Sequence, residues 1–359
     1  MTVLDRKAKY LQSGVFDSDG FTSRARPIVD STGAFLAGEL ELIDPTLHLP
    51  LRKITFAEDL QPRQGLTVTD EWASWTNSYD FSNGSLSVTG KPWVGQTSQD
   101  APTVSTNIIK QGNQLGAIKL VASWTQLELM KSQRLQRPID VDRLVALENQ
   151  WGDILDNQAY LGESAKNLYG IANATTSDGN TNGWAVTQIA SAVTGSWASN
   201  YASSPTTAAQ LILNDLRALD NAVYNNSGWT SPATKFLIPA AVWSIVNVPL
   251  AIAGVPVAIS IREYFEKFAA IAASEGKTVT LVPRKWLSSS IPGNSYGNTL
   301  SSNRVVAYSP DYENVRFEYS PLVNTGVTVF GDEQRITYFG AVGGIEIVRP
   351  STIGVITGV

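Results

Sequence analysis

Apolar residues recur at helical spacing in the stretch from 140 to about 161. The residues that share this face are Val141, Leu144, Val145, Trp151, Ile154, Leu155 and Ala159. Asp140 is placed to cap the start of this predicted helix, and Gly162 is placed to stop it. Upstream, Thr125-Gln-Leu-Glu128 is a capping box that predicts a shorter helix ended by Pro138.

Short helical and strand patterns alternate in the second half of the chain. A Thr-x-x-Gln box at Thr207 predicts a helix over 211–224, and a Ser-x-x-Glu box at Ser260 predicts a helix that runs through Ala273. This alternation indicates an α+β or α/β domain of about 120 residues that begins near residue 181. The predicted strands are 235–238, 278–282, 305–308, 315–319 and 334–348, the last as one long strand or a strand pair.

Residues 67 to about 118 have the pattern of β-structure. Thr67-Val68-Thr69 begins the run, 85–89 alternates, and Ser82-Asn83-Gly84 is a hairpin signal. Large aromatic side chains stand among polar ones in this region, which is typical of residues that anchor an interface. A sugar-binding face or a local core would use the same residues, so both alternatives stay open. The candidate anchors are Trp72, Trp75, Tyr79 and Trp93.

The segment 236–261 has no charged residue and is long enough to span a bilayer. Pro239, Pro249 and Pro256 interrupt it, and proline breaks a helix because it removes a backbone donor and clashes with the preceding turn. We therefore predict a buried strand, a short helix and an apolar loop in place of a membrane span. The N-terminus carries charges but lacks the apolar stretch of a secretory signal.

Charged residues make up only 16% of the 359 residues, against about 25% in an ordinary soluble protein. Low charge is typical of surfaces that other subunits cover, because interface cores are depleted of charge. A globular protein rich in Ser, Thr and Asn would have the same composition. The net charge of −5 and the lack of a strongly basic stretch argue against sequence-reading or tight phosphate binding.

No complete catalytic or metal-binding motif occurs in the sequence. The absence of cysteine excludes disulfides, thiol catalysis and cysteine-based zinc sites. His48, the one histidine, has no nucleophile motif beside it, and Asp17-Ser-Asp19-Gly20 lacks the later glutamate of a calcium loop. Capping and solvation explain the acidic pairs of the 140–161 helix, which are Asp140 with Asp142 and Asp153 with Asp156. We predict no catalytic residue, no cofactor and no metal site.

Several local motifs follow one another in an order that resembles one family. Trp124-Thr-Gln-Leu-Glu-Leu-Met130 precedes the helix that ends in Tyr160-Leu-Gly162, and Leu168-Tyr-Gly-Ile-Ala-Asn173 follows that helix. Thr278-Val-Thr-Leu-Val-Pro283 and Gly344-Ile-Glu-Ile-Val-Arg-Pro350 come later. With the order of helices and strands, these motifs resemble the major capsid proteins of tailed bacteriophages. That family has the Hong Kong 97-type fold, which encapsulin shells share.

The resemblance implies an α+β fold with four parts. A poorly periodic N-terminal arm and an extended β-hairpin loop precede a peripheral domain with a long spine helix and an axial domain. An arm laid over a neighbouring subunit is ordered by that contact. The implied boundaries are 1–66 for the arm, 67–118 for the extended loop, 119–180 and 305–349 for the peripheral domain, and 181–304 and 350–359 for the axial domain.

The resemblance also implies a structural protein, not an enzyme, that assembles through pentamers and hexamers into an icosahedral head around double-stranded DNA. Further copies, scaffold, portal and decoration proteins are the implied partners, with DNA contacted non-specifically and no membrane. The implied location is the virion, after assembly in the host cytoplasm. An encapsulin-like shell around cargo enzymes, a secreted carbohydrate-binding protein or enzyme, and a tail or portal component stay open as alternatives.

Overall fold

The computed structural model describes residues 52–83, 103–135, 139–180, 185–191, 195–252, 255–292, 294 and 296–359. Contacts group residues 53–359 into one compact unit, to which the following description applies. His48, the Asp17–Gly20 motif and Trp93 lie outside the described residues. The helices α1 to α8 are Phe56–Asp59, Gln126–Leu135, Ile139–Tyr160, Trp197–Ser203, Pro205–Asn226, Trp243–Val246, Ile261–Tyr264 and Ile271–Ser274.

The strands belong to two larger sheets and three hairpin pairs. The strands β1 to β8 are Gln61–Pro62, Trp72–Asn83, Thr103–Gln114, Gly116–Thr125, Gly162–Glu163, Leu168–Tyr169, Thr187–Ala190 and Lys235–Pro239. The strands β9 to β16 are Pro249–Ile252, Val255–Ser260, Thr280–Arg284, Arg304–Tyr308, Val315–Tyr319, Val323–Phe330, Glu333–Ile347 and Ile353–Thr357. Short 3-10 turns and one π-helical turn, Phe265–Ala269, complete the described elements.

The first sheet is organised around the long strand β15. Its N-terminal half pairs with β14 on one side and with β4 on the other, and its C-terminal half pairs with β13. Helix α3 packs on this sheet where Gly340 faces Trp151, so closely that a Cβ at Gly340 would lie 2.5 Å from the indole ring. Trp124, Leu147 and Ile336 continue the core between the sheet and the helix.

The second sheet has the order β11-β8-β12-β16-β7. Helix α5 covers it, with Leu219 and Val223 packed against Gly354. Strand β12, which the sequence grouped with the region 305–349, instead pairs with β8 and β16 in this sheet. Backbone hydrogen bonds between residues far apart in the chain decide that placement, and a local pattern does not encode them.

Local signals placed most element ends correctly. The capping box is confirmed, because Glu128 Oε2 accepts from Thr125 N at 2.9 Å and Thr125 Oγ1 accepts from Glu128 N at 3.2 Å. The 140–161 helix is confirmed with bounds of 139 and 160. The strands predicted at 235–238, 305–308, 315–319 and 334–348 are confirmed within one residue or so, and the one predicted at 278–282 begins at Thr280.

Three element predictions were wrong in part. Helix α5 begins at Pro205, before the Thr207 box, because proline at the first helical position needs no hydrogen-bond acceptor for its nitrogen. The helix capped by Ser260 is interrupted at Ala270, whose backbone is extended (φ −77°, ψ 142°). Thr67 lies in a turn in which Asp70 Oδ2 accepts from its backbone N at 2.7 Å, so the first strand of this region begins at Trp72.

The uncharged segment 236–261 folds as short elements, as its prolines predict. Most of strand β8 is buried, helix α6 is four residues long, and β9 pairs with β10 as a hairpin where an apolar loop was expected. Among the described residues, no helix has the length and hydropathy needed to cross a membrane.

Candidate subunit-contact surfaces

A two-stranded hairpin in the predicted loop region exposes Trp72, Ile108 and Ile109. Strands β2 and β3 pair without interruption from Trp72 opposite Gln114 to Asn83 opposite Thr103. Residues 106–110 are exposed, and Ile108 is 67% exposed. Because exposed apolar side chains on a strand pair are typical of contact surfaces, this hairpin is the first candidate for a contact with another subunit.

The four aromatic candidates do not share one environment. Trp72 is 64% exposed at the start of the hairpin, as an anchor for a neighbouring molecule requires. Trp75 is only 6% exposed and belongs to the main hydrophobic core, which corrects the expectation of an exposed anchor at this position. Tyr79 lies on the same strand opposite Asn107, and Trp93 lies outside the described residues.

A buried polar group holds the base of this hairpin against the first sheet. Arg63 Nη2 donates to Ser74 O of β2 at 2.7 Å, and Asn113 Nδ2 of β3 donates to Glu318 Oε2 at 3.2 Å. Arg63 Nη1 donates to Glu318 Oε1 at 3.3 Å and to Glu346 Oε2 at 2.9 Å. We call Arg63, Asn113, Glu318 and Glu346 the hairpin-base cluster.

Both carboxylates of the hairpin-base cluster are fully buried, which changes their acidity. Burial, together with the neighbouring charge of Glu346, raises the pKa of Glu318 to about 8. Burial also raises the pKa of Glu346, although Arg63 and Arg316 oppose that effect. The sequence pattern missed both residues, and the one available signal was an acid with an apolar neighbour on each side, Glu318 in Val315–Tyr319 and Glu346 in Glu333–Ile347.

A second buried polar group holds helix α1 in place. Asp59 accepts from Arg284 twice, from Nε to Oδ2 at 2.5 Å and from Nη2 to Oδ1 at 2.6 Å, and Lys235 Nζ lies 2.9 Å from Oδ1. The Tyr160 hydroxyl also donates to Asp59. We call Asp59, Arg284, Lys235 and Tyr160 the Asp59 cluster, which joins α1 to the end of α3 and to the second sheet.

Asp156, one member of a predicted acidic pair, bonds the start of helix α1. Its Oδ1 accepts from the backbone N of Thr55 and of Phe56, both at 2.8 Å, and so satisfies the first donors of helix α1. Its Oδ2 accepts from Trp286 Nε1 at 2.6 Å. Asp156 therefore caps a helix about a hundred residues away, not its own. Within the described residues, no cluster of three or more His, Asp or Glu side chains could hold a metal ion.

The strand β14 is a second candidate contact surface. All eight of its residues are exposed, and the sequence Val-Asn-Thr-Gly-Val-Thr-Val-Phe contains neither charge nor proline. Val327, Val329 and Phe330 are 56%, 63% and 62% exposed. In the described part of the chain, β14 pairs only with β15, so its outer edge is open. Natural proteins usually protect such edges with charge, proline or a covering element.

Comparisons with known proteins agree on one family. No curated protein matches the chain. The family model described as "Major capsid protein" matches residues 90–359. Among solved structures, the capsid of Myoviridae phage XM1 superposes with a TM-score of 0.68 and 13% identity, covering 91% of this chain and 99% of that chain.

Two further structures support the same fold. The capsid of the native GTA particle has a TM-score of 0.59 at 12% identity, covering 92% of this chain and 99% of the other. A chain of Microbacterium phage Oxtober96 has a TM-score of 0.53 at 11% identity, covering 88% and 95%. These similarities show a mixed α+β fold of the Hong Kong 97 type. Because the family model spans most of the chain, the chain belongs to the major capsid protein family and is a structural protein of a capsid shell.

Proposed function

We propose that this capsid protein assembles through pentamers and hexamers into an icosahedral phage head that encloses double-stranded DNA. Membership of the major capsid protein family is the observation that carries the proposal. Assembly takes place in the host cytoplasm, with scaffold, portal and decoration proteins as further partners. A net charge of −5 suits non-specific contact with packaged DNA, because an acidic protein does not bind phosphates tightly.

The β2–β3 hairpin is proposed to lie over a neighbouring subunit, with Trp72 as an anchor. An indole that is 64% exposed in the isolated subunit leaves much apolar surface in contact with water. Covering that surface with a neighbouring subunit favours association. Tyr79 and Trp93 remain candidates on the same part of the chain. Trp75 stabilises the subunit from inside its core, so its contribution to assembly is indirect.

The division into an arm (1–66), an extended loop (67–118), a peripheral domain and an axial domain is part of the proposal. Support comes from the two separate sheets, each with a long helix packed on it, α3 on the first and α5 on the second.

Electron microscopy and sedimentation of the purified protein test this proposal. We expect closed shells, or pentamers and hexamers, and we expect nuclease-protected DNA inside particles isolated from infected cells. Protein that stays monomeric when its scaffold is present contradicts the proposal, and so do shells that enclose an enzyme in place of DNA.

The replacement Trp72→Ala tests the hairpin contact. We expect it to leave the subunit folded and to raise the concentration at which shells form by roughly tenfold or more, because truncation of an interface anchor costs at least about 1–2 kcal/mol. The matched control is Trp229→Ala, which removes an indole that is 70% exposed but lies outside the hairpin. If wild type and Trp72→Ala form shells at the same concentration, Trp72 does not contribute to the contact.

A further inference from the structure

The hairpin-base cluster brings two buried carboxylates to one nitrogen atom of Arg63. Glu318 Oε1 and Glu346 Oε2 both approach Arg63 Nη1, at 3.3 and 2.9 Å. Two negative charges this close repel each other in a medium that water does not screen. A proton held by the pair removes that repulsion.

The surroundings of the pair leave little space for water. A Cβ at Gly343 would lie 2.6 Å from Glu318 Oε2 and 2.9 Å from the side chain of Leu115. The described charged groups bonded to the pair are Arg63, which is 20% exposed, and Arg316, which bonds Glu346 and is 18% exposed. Tyr312 faces the guanidinium of Arg316 from its other side, with 4.6 Å between Arg316 Cζ and the ring centroid.

The same groups are the polar attachment of both hairpin strands. Arg63 donates a hydrogen bond to the backbone of Ser74 in β2. Asn113 Nδ2 of β3 donates to Glu318 and also to Ile345 O, the latter at 3.1 Å. Beyond this base, residues 106–110 of β3 are exposed. A change of charge at the pair therefore acts where the hairpin joins the rest of the subunit.

We propose that the hairpin-base cluster is a proton-controlled clamp, in which a proton on the Glu318–Glu346 pair keeps both hairpin strands bound to the first sheet and its loss loosens the hairpin base. The burial that raises the pKa of Glu318 to about 8, from an ordinary value of 4.5, has this consequence by linkage. The closed cluster binds a proton that an opened, hydrated cluster releases. Opening therefore becomes more favourable as the pH rises between these two values, and levels off above about 8.

Hydrogen exchange measured on the unassembled, full-length subunit tests the clamp. Protection factors, corrected for the intrinsic effect of pH, are followed for the backbone amides of β3 from pH 6 to pH 9. We expect the protection to fall by up to about tenfold per pH unit and to level off near pH 8, the slope that follows from one proton. Strand β8 of the second sheet is the internal control and should show no such slope.

Two near-isosteric variants separate the clamp from ordinary packing. Glu318→Gln removes the titrating group and should flatten the profile of β3. Glu346→Gln keeps Glu318 but removes the neighbouring charge that opposes the ionisation of Glu318. The pH at which the protection of β3 levels off should therefore be lower than in the wild type. This second variant decides the question even where the first one does not fold.

Two results would overturn the clamp. One is a protection of the β3 amides that depends on pH as little as that of β8. The other is a plateau that stays at the same pH in Glu346→Gln. The cluster lies within one subunit, so the measurement requires no shell. Failure of the clamp therefore leaves the proposed function untouched, and failure to form shells leaves the clamp testable.

Discussion

Buried charged side chains in this subunit form ion pairs that join segments far apart in the chain. Asp59 and Arg284 are separated by 225 positions and bond through two N–H groups, with side chains 0% and 1% exposed. Burial opposes the charge of Arg284, but its hydrogen bonds with Asp59 outweigh that effect, so its pKa is raised above the ordinary value. Removal of one partner leaves the other charged and buried, which is far costlier than the loss of an exposed ion pair.

The replacement Asp59→Ala is predicted to lower the free energy of unfolding by about 3–5 kcal/mol, because it removes the buried acid that pairs with Arg284 and Lys235 and leaves Arg284 only the exposed Glu58. Urea denaturation of the isolated subunit measures the effect. The control is Glu313→Ala, which breaks a pair with Arg349 whose side chains are 74% and 56% exposed. That control should cost about 1 kcal/mol or less. A loss for Asp59→Ala no greater than that of the control would show that the Asp59 cluster does not stabilise the subunit.

At the scale of single elements, the end of helix α3 is set by backbone geometry. Gly162 has φ +62°, and a Cβ there would lie 2.4 Å from Leu168 O. The chain reverses through the short pair β5–β6, and Ile171 N donates to Ala159 O at 3.0 Å. A residue with a side chain would meet both a left-handed backbone conformation and a backbone clash at this turn.

The replacement Gly162→Ala is predicted to destabilise the subunit more than Gly276→Ala. Both glycines have positive φ, at +62° and +78°, but nothing lies within 4 Å of a Cβ at Gly276. The control should therefore cost roughly 1 kcal/mol for conformation alone, whereas the clash at Gly162 adds about 1–3 kcal/mol more. Thermal unfolding of the two variants measures the difference, and equal losses would refute the clash.

At the scale of the whole molecule, the described surface keeps features that an isolated soluble subunit usually lacks. The open edge of β14 has no charge over eight residues, and Leu127 and Met130 of α2 are 61% and 64% exposed. Such surfaces promote association. In a protein of a capsid shell, these surfaces are suited to contact other copies of the chain.

A charge on the β14 edge should interfere with assembly and not with folding. The replacement Val329→Lys is predicted to give a folded, soluble subunit with reduced shell yield, because lysine blocks strand pairing at an edge. Val329→Thr keeps the branched side chain without charge and should assemble as wild type does. Light scattering during assembly and circular dichroism of the subunits measure the two effects. Shells formed normally by Val329→Lys would show that this edge stays uncovered.

The sequence by itself determined the elements whose causes lie within a few residues. The Thr125–Glu128 capping box, the 139–160 helix and the strand at 315–319 follow from hydrogen bonds and periodicity that neighbouring residues supply. The order of these elements was also sufficient for the resemblance to phage capsid proteins, which the family model supports independently. Local interactions need no knowledge of the partner segment, so a pattern can encode them.

Only the tertiary structure decided which side chains are inside and what they bond. Trp72 and Trp75 are three positions apart and so point to opposite faces of their strand, but only the packing of distant segments decides that the face with Trp75 is covered (6% exposed) and the one with Trp72 is not (64% exposed). Glu318 and Glu346 look like ordinary strand acids until the pairing of β13 with β15 and the position of Arg63 bring them together. Burial and charge pairing depend on segments far apart in the chain, and no local pattern carries that information.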